Sequence, residues 1–502
     1  MRIPILIGAL VLPSLIAALA AAQPRFRNVT AESGFLSIRG YGGHGIQVAD
    51  IDGDGLLDVY VTHIFDPKQN RPDLLFRNLG GSPPRFEEIG LAAGVADEGF
   101  FPVTLEDGAV EEYSDESHAA VFADFDNDGD LDLFNGHTWN GHHRLYRNDG
   151  GARFVDISDS AGIDQRDLGP RGVGSADLDG NGYLDIVVSA WAGHIPNVYM
   201  NQGGLRFERI RLPGDADEKF ANQGITIVDV NGDRRPDMAL SAFEYVDAGS
   251  GLGALQLLEL DSDRFVERTG FAGLAYEKTT SDYRGTNGFS FQDIDNDADL
   301  DLVITGYHGS KLYRNKGEGR FQLDRRFEGV HYTGAFGDVD LDSDLDFYIA
   351  GDTGIYINDG AGGFTFQDGI GLDGIGLDAR SAVFADMDGD GDLDLLIASK
   401  QGPNTFFVNE AAPGGGWLKV ALTAPNGEKG AVGAEVALYR GGALVGYRVV
   451  QTATGYCSQD PSLLHFGVDP AGTYDLRVTF KDGTVATRTG LAPRQVVDVR
   501  GN

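Results

Sequence analysis

Four short apolar runs recur along this chain in a fixed order, each cut off by Gly, Asn or Asp. The first is typified by GIQVA (45–49) and AAVFA (119–123). The second, such as LLDVYVT (56–62) or LDLVIT (300–305), follows a cluster of acids. The third ends in Asn, as in LLFRN (74–78), RLYRN (144–148), KLYRN (311–315) and TFFVN (405–409). The fourth is led by Phe, as in RFEEI (85–89), RFVDI (153–157) and RFERI (206–210). Short runs rich in Val, Ile, Tyr and Phe, bounded by turn residues, predict β-strands. Four strands per repeat of roughly 50 residues is the blade of a β-propeller.

A nine-residue pattern, Asp-x-Asp-x-Asp-Gly-x-x-Asp, joins the first run to the second. It starts at Asp50, Asp124, Asp177, Asp229, Asp293, Asp338 and Asp386, at spacings of 45 to 74 residues. Seven copies predict an all-β fold, a seven-bladed propeller over 23–410. The segment FRNVT (26–30) has the form of the Phe-led fourth run, whereas the seventh repeat reaches Asn409 without one. The N-terminal strand is therefore expected to close the last blade, which removes a raw sheet edge. A Gly-Pro linker follows at 411–416. From Trp417 the repeat stops, and runs such as WLKVAL, AEVALYR and YDLRVTF predict a small β-sandwich-like domain over 417–502.

Composition sharpens this picture in three ways. The 72 glycines suit a protein of many tight turns. The net charge of −36 argues against nucleic acid, which needs a basic footprint, and against anionic lipid. Met1-Arg2, the apolar stretch Ile3–Ala22 and the closing Ala20-Ala21-Ala22 have the form of a secretory signal peptide, 1–22. The chain is thus expected to work outside the cytoplasm, secreted or periplasmic, with no membrane contact after cleavage. An exported chain with one cysteine, Cys457, has no internal disulfide and needs another staple. Cys457 itself reads as a buried small hydrophobe.

Calcium is the expected staple. It is a hard cation that takes six to eight oxygens at roughly 2.3–2.6 Å. Acids at positions 1, 3, 5 and 9 of the nonapeptide can converge on one point, and Gly at position 6 permits the turn. Those positions are Asp50, Asp52, Asp54 and Asp58; Asp124, Asp126, Asp128 and Asp132; Asp177, Asp179, Asn181 and Asp185. They continue as Asp229, Asn231, Asp233 and Asp237; Asp293, Asp295, Asp297 and Asp301; Asp338, Asp340, Asp342 and Asp346; Asp386, Asp388, Asp390 and Asp394. Several Ca2+ ions, up to seven, are expected. The Asp229 copy fits least well, with Arg234 at position 6 and Pro236 at position 8, while Ala298 and Ser343 replace the turn glycine in two others. The apolar residue at position 8, such as Leu57 or Leu131, should enter the core.

These loops resemble the calcium repeats of integrin α-subunits, the FG-GAP or VCBS family, over about 26–410. The resemblance implies that the loops join first to second strands, are mainly structural, and leave ligands to the opposite face. The segments KGAVGAEVALY (429–439) and TGYCSQDPSLLHFGV (454–468), with the closing VTFKDGTVATRTGLAPRQVVDV, resemble an ASPIC/UnbV domain. The combination is similar to the cartilage acidic protein family, and more to its bacterial branch, because no Cys-rich module follows. It implies calcium binding and export but no established substrate.

The face opposite the loops gathers residues at the starts of first strands: His44, His118, Arg171, Gln223, Asn287, Tyr332 and Arg380. Nine of the ten histidines fall on that side. They read either as a polar-ligand or transition-metal site over the central channel, or as ordinary loop ends on separate blades. The acidic insert Ala96–Ser117 reads as a lid, a specificity loop or a solvated loop. No G-x-S-x-G, H-E-x-x-H or phosphate-binding loop occurs. The functional expectation is a non-catalytic binding or adhesion protein for a protein or glycan ligand. The alternative is an extracytoplasmic enzyme acting on polysaccharide, with its site over the channel.

Overall fold

The computed structural model describes residues 24–501 apart from 36–42, 64–71, 97–99, 105–109, 115–116, 138–141, 164–170, 190–195, 215–219, 246–254, 262–263, 275–285, 308, 376–377 and 412–414. The proposed signal segment, 1–22, lies outside the described residues. No helix among them is long and apolar enough to cross a membrane.

Each Asp loop joins two strands, and each sheet begins with the run that precedes the loop. The first strands are Ile46–Ala49, Ser117–Ala123, Val173–Ala176, Phe220–Val228, Thr286–Gln292, Gly334–Gly337 and Ala379–Ala385, which define sheets 1 to 7. Within sheets 1 to 6, four strands pair antiparallel in chain order, and sheet 7 begins with three such strands. First strands neighbour one another in sequence, and that of sheet 7 neighbours that of sheet 1. The arrangement is propeller-like. Sheet 7 is completed by Phe26–Asn28, paired to Thr405–Asn409 with Phe26 opposite Asn409, as the displaced Phe-led run predicts.

The core is divided rather than central. Seven buried apolar clusters each lie between two neighbouring sheets. Val48 and Val59 meet Val383 and Leu396 between sheets 1 and 7. Val121 and Phe134 meet Ile186 and Tyr199 between sheets 2 and 3. The remaining five interfaces repeat the pattern. Strands buried on both faces explain why the runs are nearly continuous in apolar residues instead of alternating. The insert after sheet 1 is a hairpin, Phe100–Thr104 against Val110–Ser114, and not an irregular loop.

The C-terminal domain is two sheets around one core. Gly416–Thr423 pairs with Leu464–Val468 and Gln495–Arg500, and Glu435–Arg440 pairs with Ala443–Val449 and Tyr474–Thr479. Leu418, Val420, Val436, Leu438, Phe466 and Val478 lie between them, as expected of a sandwich.

This domain is not an appendage. Its segment 451–459 runs through the ring's hub, bonding to one first strand after another. Gln451 Nε2 donates to Phe291 O (2.9 Å), Thr452 Oγ1 to Ser175 O (2.8 Å) and Gln459 Nε2 to Phe122 O (2.8 Å). Gly455 N donates to Phe289 O (2.7 Å), and Ser458–Gln459 adds a short parallel strand beside Ile46–Ala49. The Gly-Pro linker gives no hint of this in the sequence, because polar side chains of 451–459 meet backbone carbonyls of distant strands, and carbonyls carry no sequence signal.

Candidate functional site

The Asp loops share one backbone. Position 6 is left-handed in all seven: Gly55, Gly129, Gly182 and Gly391 at φ 88°, 95°, 88° and 103°. Arg234, Ala298 and Ser343 adopt the same turn at 67°, 71° and 86°, a conformation that disfavours side chains. Position 4 is left-handed as well, filled by Gly or Asn in six loops and by Leu341 in sheet 6. The turn aims backbone N–H groups at the first acid. In sheet 1, Asp50 accepts from Gly53 N (2.8 Å) and Gly55 N (3.2 Å). Position 8 enters the core, with Leu57, Leu131, Leu184, Leu300, Leu345 and Leu393 all buried.

Carboxylates then converge. One oxygen from each member of Asp50/Asp52/Asp58, Asp124/Asp126/Asp128, Asp177/Asp179/Asp185 and Asp293/Asp295/Asp297 lies within 4.8 Å of the others. Oxygens around one calcium at roughly 2.3–2.6 Å span at most about 5 Å, so these sets fit a single ion. Buried oxygens without hydrogen-bond partners point the same way: Asp126 Oδ1, Asp295 Oδ1 and Asp340 Oδ1, each at position 3. Burial, followed by neighbouring carboxylates, pushes Asp340 up to about 7 and Asp124 up to about 6. Uncompensated, these groups are held toward the neutral acid, and a cation relieves that cost.

Position 9 has a structural job that the sequence did not announce. Asp132 Oδ2 accepts from Phe125 N (3.3 Å) and its Oδ1 from Asn148 N (2.9 Å), tying loop to third strand. The side chain of Asn148 donates to Leu131 O (3.1 Å) in its own sheet and to Ile51 O (2.9 Å) in sheet 1. In six of the seven sheets the third strand ends in an Asn that bridges in this way to the previous sheet. Asn78, Asn201, Asn315, Asn358 and Asn409 repeat the bridge. Sheet 4 departs from it: Leu260 stands in the Asn position, and Asp237 Oδ1 is buried without a partner. Burial raises Asp237 to about 8, against about 8 for Asp132 and about 7 for Asp58.

The C-terminal domain covers the loop end. Lys429 N donates to Asp124 Oδ2 (2.8 Å), Gly467 N to Asp338 Oδ2 (2.9 Å), and Lys481 Nζ pairs with Asp177 Oδ2 (3.2 Å). Lys419 is ion-paired with Asp386. Within the ring, Arg314 Nη1 donates to Asp301 Oδ2 (2.7 Å), and Arg77 pairs with Asp52 (2.5 Å).

At the opposite end of the hub, His44 and His118 come together from sheets 1 and 2, ring centroids 4.1 Å apart and edge to face. Both are buried, and Tyr456 and Cys457 from the C-terminal domain meet them there. Burial, then nearby cations such as Arg380, holds both imidazoles well below the usual histidine range. Cys457 is buried, as expected, and its thiol donates to Arg171 O (3.0 Å). Arg380 lies over the Tyr332 ring at 3.6 Å and pairs with Asp378 (2.7 Å). Tyr332 and Tyr307 share a hydroxyl hydrogen bond of 2.7 Å. Asn287 corrects the expectation of an open ligand face: it is fully buried and donates to His331 O (2.9 Å), linking sheets 5 and 6. Gln223 lies in the strand Phe220–Val228, and its side chain is outside the described residues. Tyr456 was missed, since only the threading of 451–459 brings it to the histidines.

The comparisons with known proteins agree with this architecture. Residues 124–188, 293–349 and 338–397 match the FG-GAP-like repeat, and residues 424–502 match ASPIC and UnbV. Five of the seven Asp loops fall in the matched repeats. Cartilage acidic protein 1 of Xenopus tropicalis is 32% identical over 178 residues, covering 34% of this chain and 26% of that protein. Its Mus musculus counterpart is 23% identical over 357 residues, 70% of this chain and 40% of that protein. The matched region thus spans well under half of these curated relatives. Among solved structures, an Agrocybe aegerita lectin recognising non-reducing terminal N-acetylglucosamine is similar at a TM-score of 0.44 and 16% identity, covering 73% of this chain and 86% of that one. The Dos1 propeller is similar at a TM-score of 0.40 and 10% identity, covering 77% and 94%. This chain therefore carries FG-GAP-like repeats followed by a C-terminal ASPIC and UnbV domain, and it is a distant homologue of cartilage acidic protein 1.

Proposed function

We propose that this chain is an exported, calcium-stapled binding protein that grips a protein or glycan ligand, without catalysis, by the end of the ring opposite the Asp loops. The observation that carries the calcium half is the convergence of buried carboxylates with unpartnered oxygens in one repeated turn. Calcium at each such loop would neutralise the acids and tie first to second strands. The signal-like segment 1–22 supports work outside the cytoplasm, where calcium would serve as the staple that a single cysteine cannot supply. The C-terminal domain covers the loop end, which supports a ligand at the far end, where Arg380, Tyr332 and Tyr307 form a cationic and aromatic group.

Equilibrium dialysis of the chain from Gln23 onward against labelled calcium tests the first half. At least four ions per chain are expected, and fewer than two would overturn it. A glycan array probed with the same chain and with Arg380→Ala and Tyr332→Ala tests the second. Binding that both substitutions abolish supports the far end; binding that neither alters moves the ligand elsewhere.

A further inference from the structure

One cluster at the hub answers to neither calcium nor a surface ligand. One nitrogen from each of His44 and His118 and the Sγ of Cys457 lie within 4.8 Å of one another. All three residues are more than nine-tenths buried, at 3%, 1% and 8% exposure. The Nδ1 atoms of both imidazoles are buried with no hydrogen-bond partner. A buried imidazole nitrogen without a partner is costly, and two at one point beside a thiol need a reason. The donors come from three distant parts of the chain, which only the threading of 451–459 assembles.

We propose that His44, His118 and Cys457 bind a single copper(I) ion through two imidazole nitrogens and one thiolate. Soft thiolate with imidazole suits copper, whereas the Asp loops offer hard oxygens that suit calcium. Three donors on one such ion sit roughly 3.5–4 Å apart, so the set closes with side-chain movement of about 1 Å. Arg171, Arg380 and Lys400 act on these imidazoles as nearby positive charges. They penalise a dication more than a copper(I)–thiolate unit, whose net charge is zero. On binding, the S–H bond of Cys457 breaks, an S–Cu bond forms, and the proton leaves to solvent without change in oxidation state. Tyr456 shares a 2.9 Å hydrogen bond with His118 Nε2, which leaves Nδ1 for the metal and fixes the ring.

The test is an anaerobic copper(I) titration of the full chain, kept in millimolar calcium, against a competing chromophoric chelator. One copper per chain is expected in the native protein, with a sulfur neighbour in its X-ray absorption spectrum. Cys457→Ser and His118→Gln should each weaken binding at least about tenfold while leaving the calcium count unchanged. Should Cys457→Ser fail to fold, Cys457→Ala and the absorption spectrum of the unaltered chain decide instead. No copper retained, a spectrum without sulfur, zinc held in preference to copper, or wild-type affinity in the cysteine variants would each overturn the assignment.

Discussion

The two ends of the hub bring together the side chains proposed as cation ligands in opposite ways. At the loop end, carboxylates recur seven times, each set supplied by nine consecutive residues. At the far end, two imidazoles and one thiol meet once, from positions 44, 118 and 457. The local sets are redundant and polar, partly exposed and stabilised by their own backbone turns. The distant set is single, buried and dependent on the whole ring and its threaded segment. Repetition lets individual loops drift, as Arg234 and Pro236 in sheet 4 show; a site made once has no such latitude.

Chelation should separate the ends most sharply. Removing calcium is expected to lower the unfolding temperature by about 10 °C or more, since each site saturated at a hundredfold over Kd contributes about 2.7 kcal/mol. Differential scanning calorimetry with and without chelator measures this, and Cys457→Ser should show the same shift. A change below about 1 °C would remove calcium as the staple.

The Asn bridges come next. Asn148→Ala strips two buried carbonyls of their donor and should destabilise by about 2–3 kcal/mol in urea unfolding. A loss under about 0.5 kcal/mol would make the bridges incidental, as their absence from sheet 4 already shows one interface can manage.

Acidity should act with opposite signs on the stability of the metal-free chain and on the increment that calcium adds. Asp58, Asp132 and Asp185 are raised from 3.8 to about 7, about 8 and about 7, chiefly by burial. A raised carboxylate binds more protons folded than unfolded, so its contribution is full below about 4 and lost as pH rises through 7 to 8. The metal-free chain should therefore gain several degrees of unfolding temperature between pH 8 and pH 5.5. The increment from added calcium should shrink over the same range, because protons and calcium compete. Parallel curves would detach these acids from the metal.

The smallest effect sharpens the turn. Ala298→Gly should stabilise the chain by about 0.5–1 kcal/mol, because position 6 is left-handed and only Gly takes that conformation freely. A loss of stability would mean that the alanine side chain has packing worth more than its strain.

Much of the ring was legible in the sequence because its information is local and repeated. The strand runs, the turn at position 6 and the buried leucines at position 8 each follow from spacing within one repeat, and the closing strand at Phe26 from the Phe-led run that the seventh repeat lacks. The left-handed position 4 is legible too, as Gly or Asn in six of seven copies. The Asn bridges were visible only as a strand-ending residue; their meaning required the neighbouring sheet.

The amino-acid sequence by itself determined the seven-fold pattern, the Asp loops and the two-part organisation, since each rests on contacts between residues close in the chain. Only the tertiary structure decided that the C-terminal domain caps the loop end, that 451–459 threads the hub, and that His44, His118, Tyr456 and Cys457 share one buried point. Those contacts join residues from 74 to several hundred positions apart, through hydrogen bonds and packing that leave no periodic trace in the sequence.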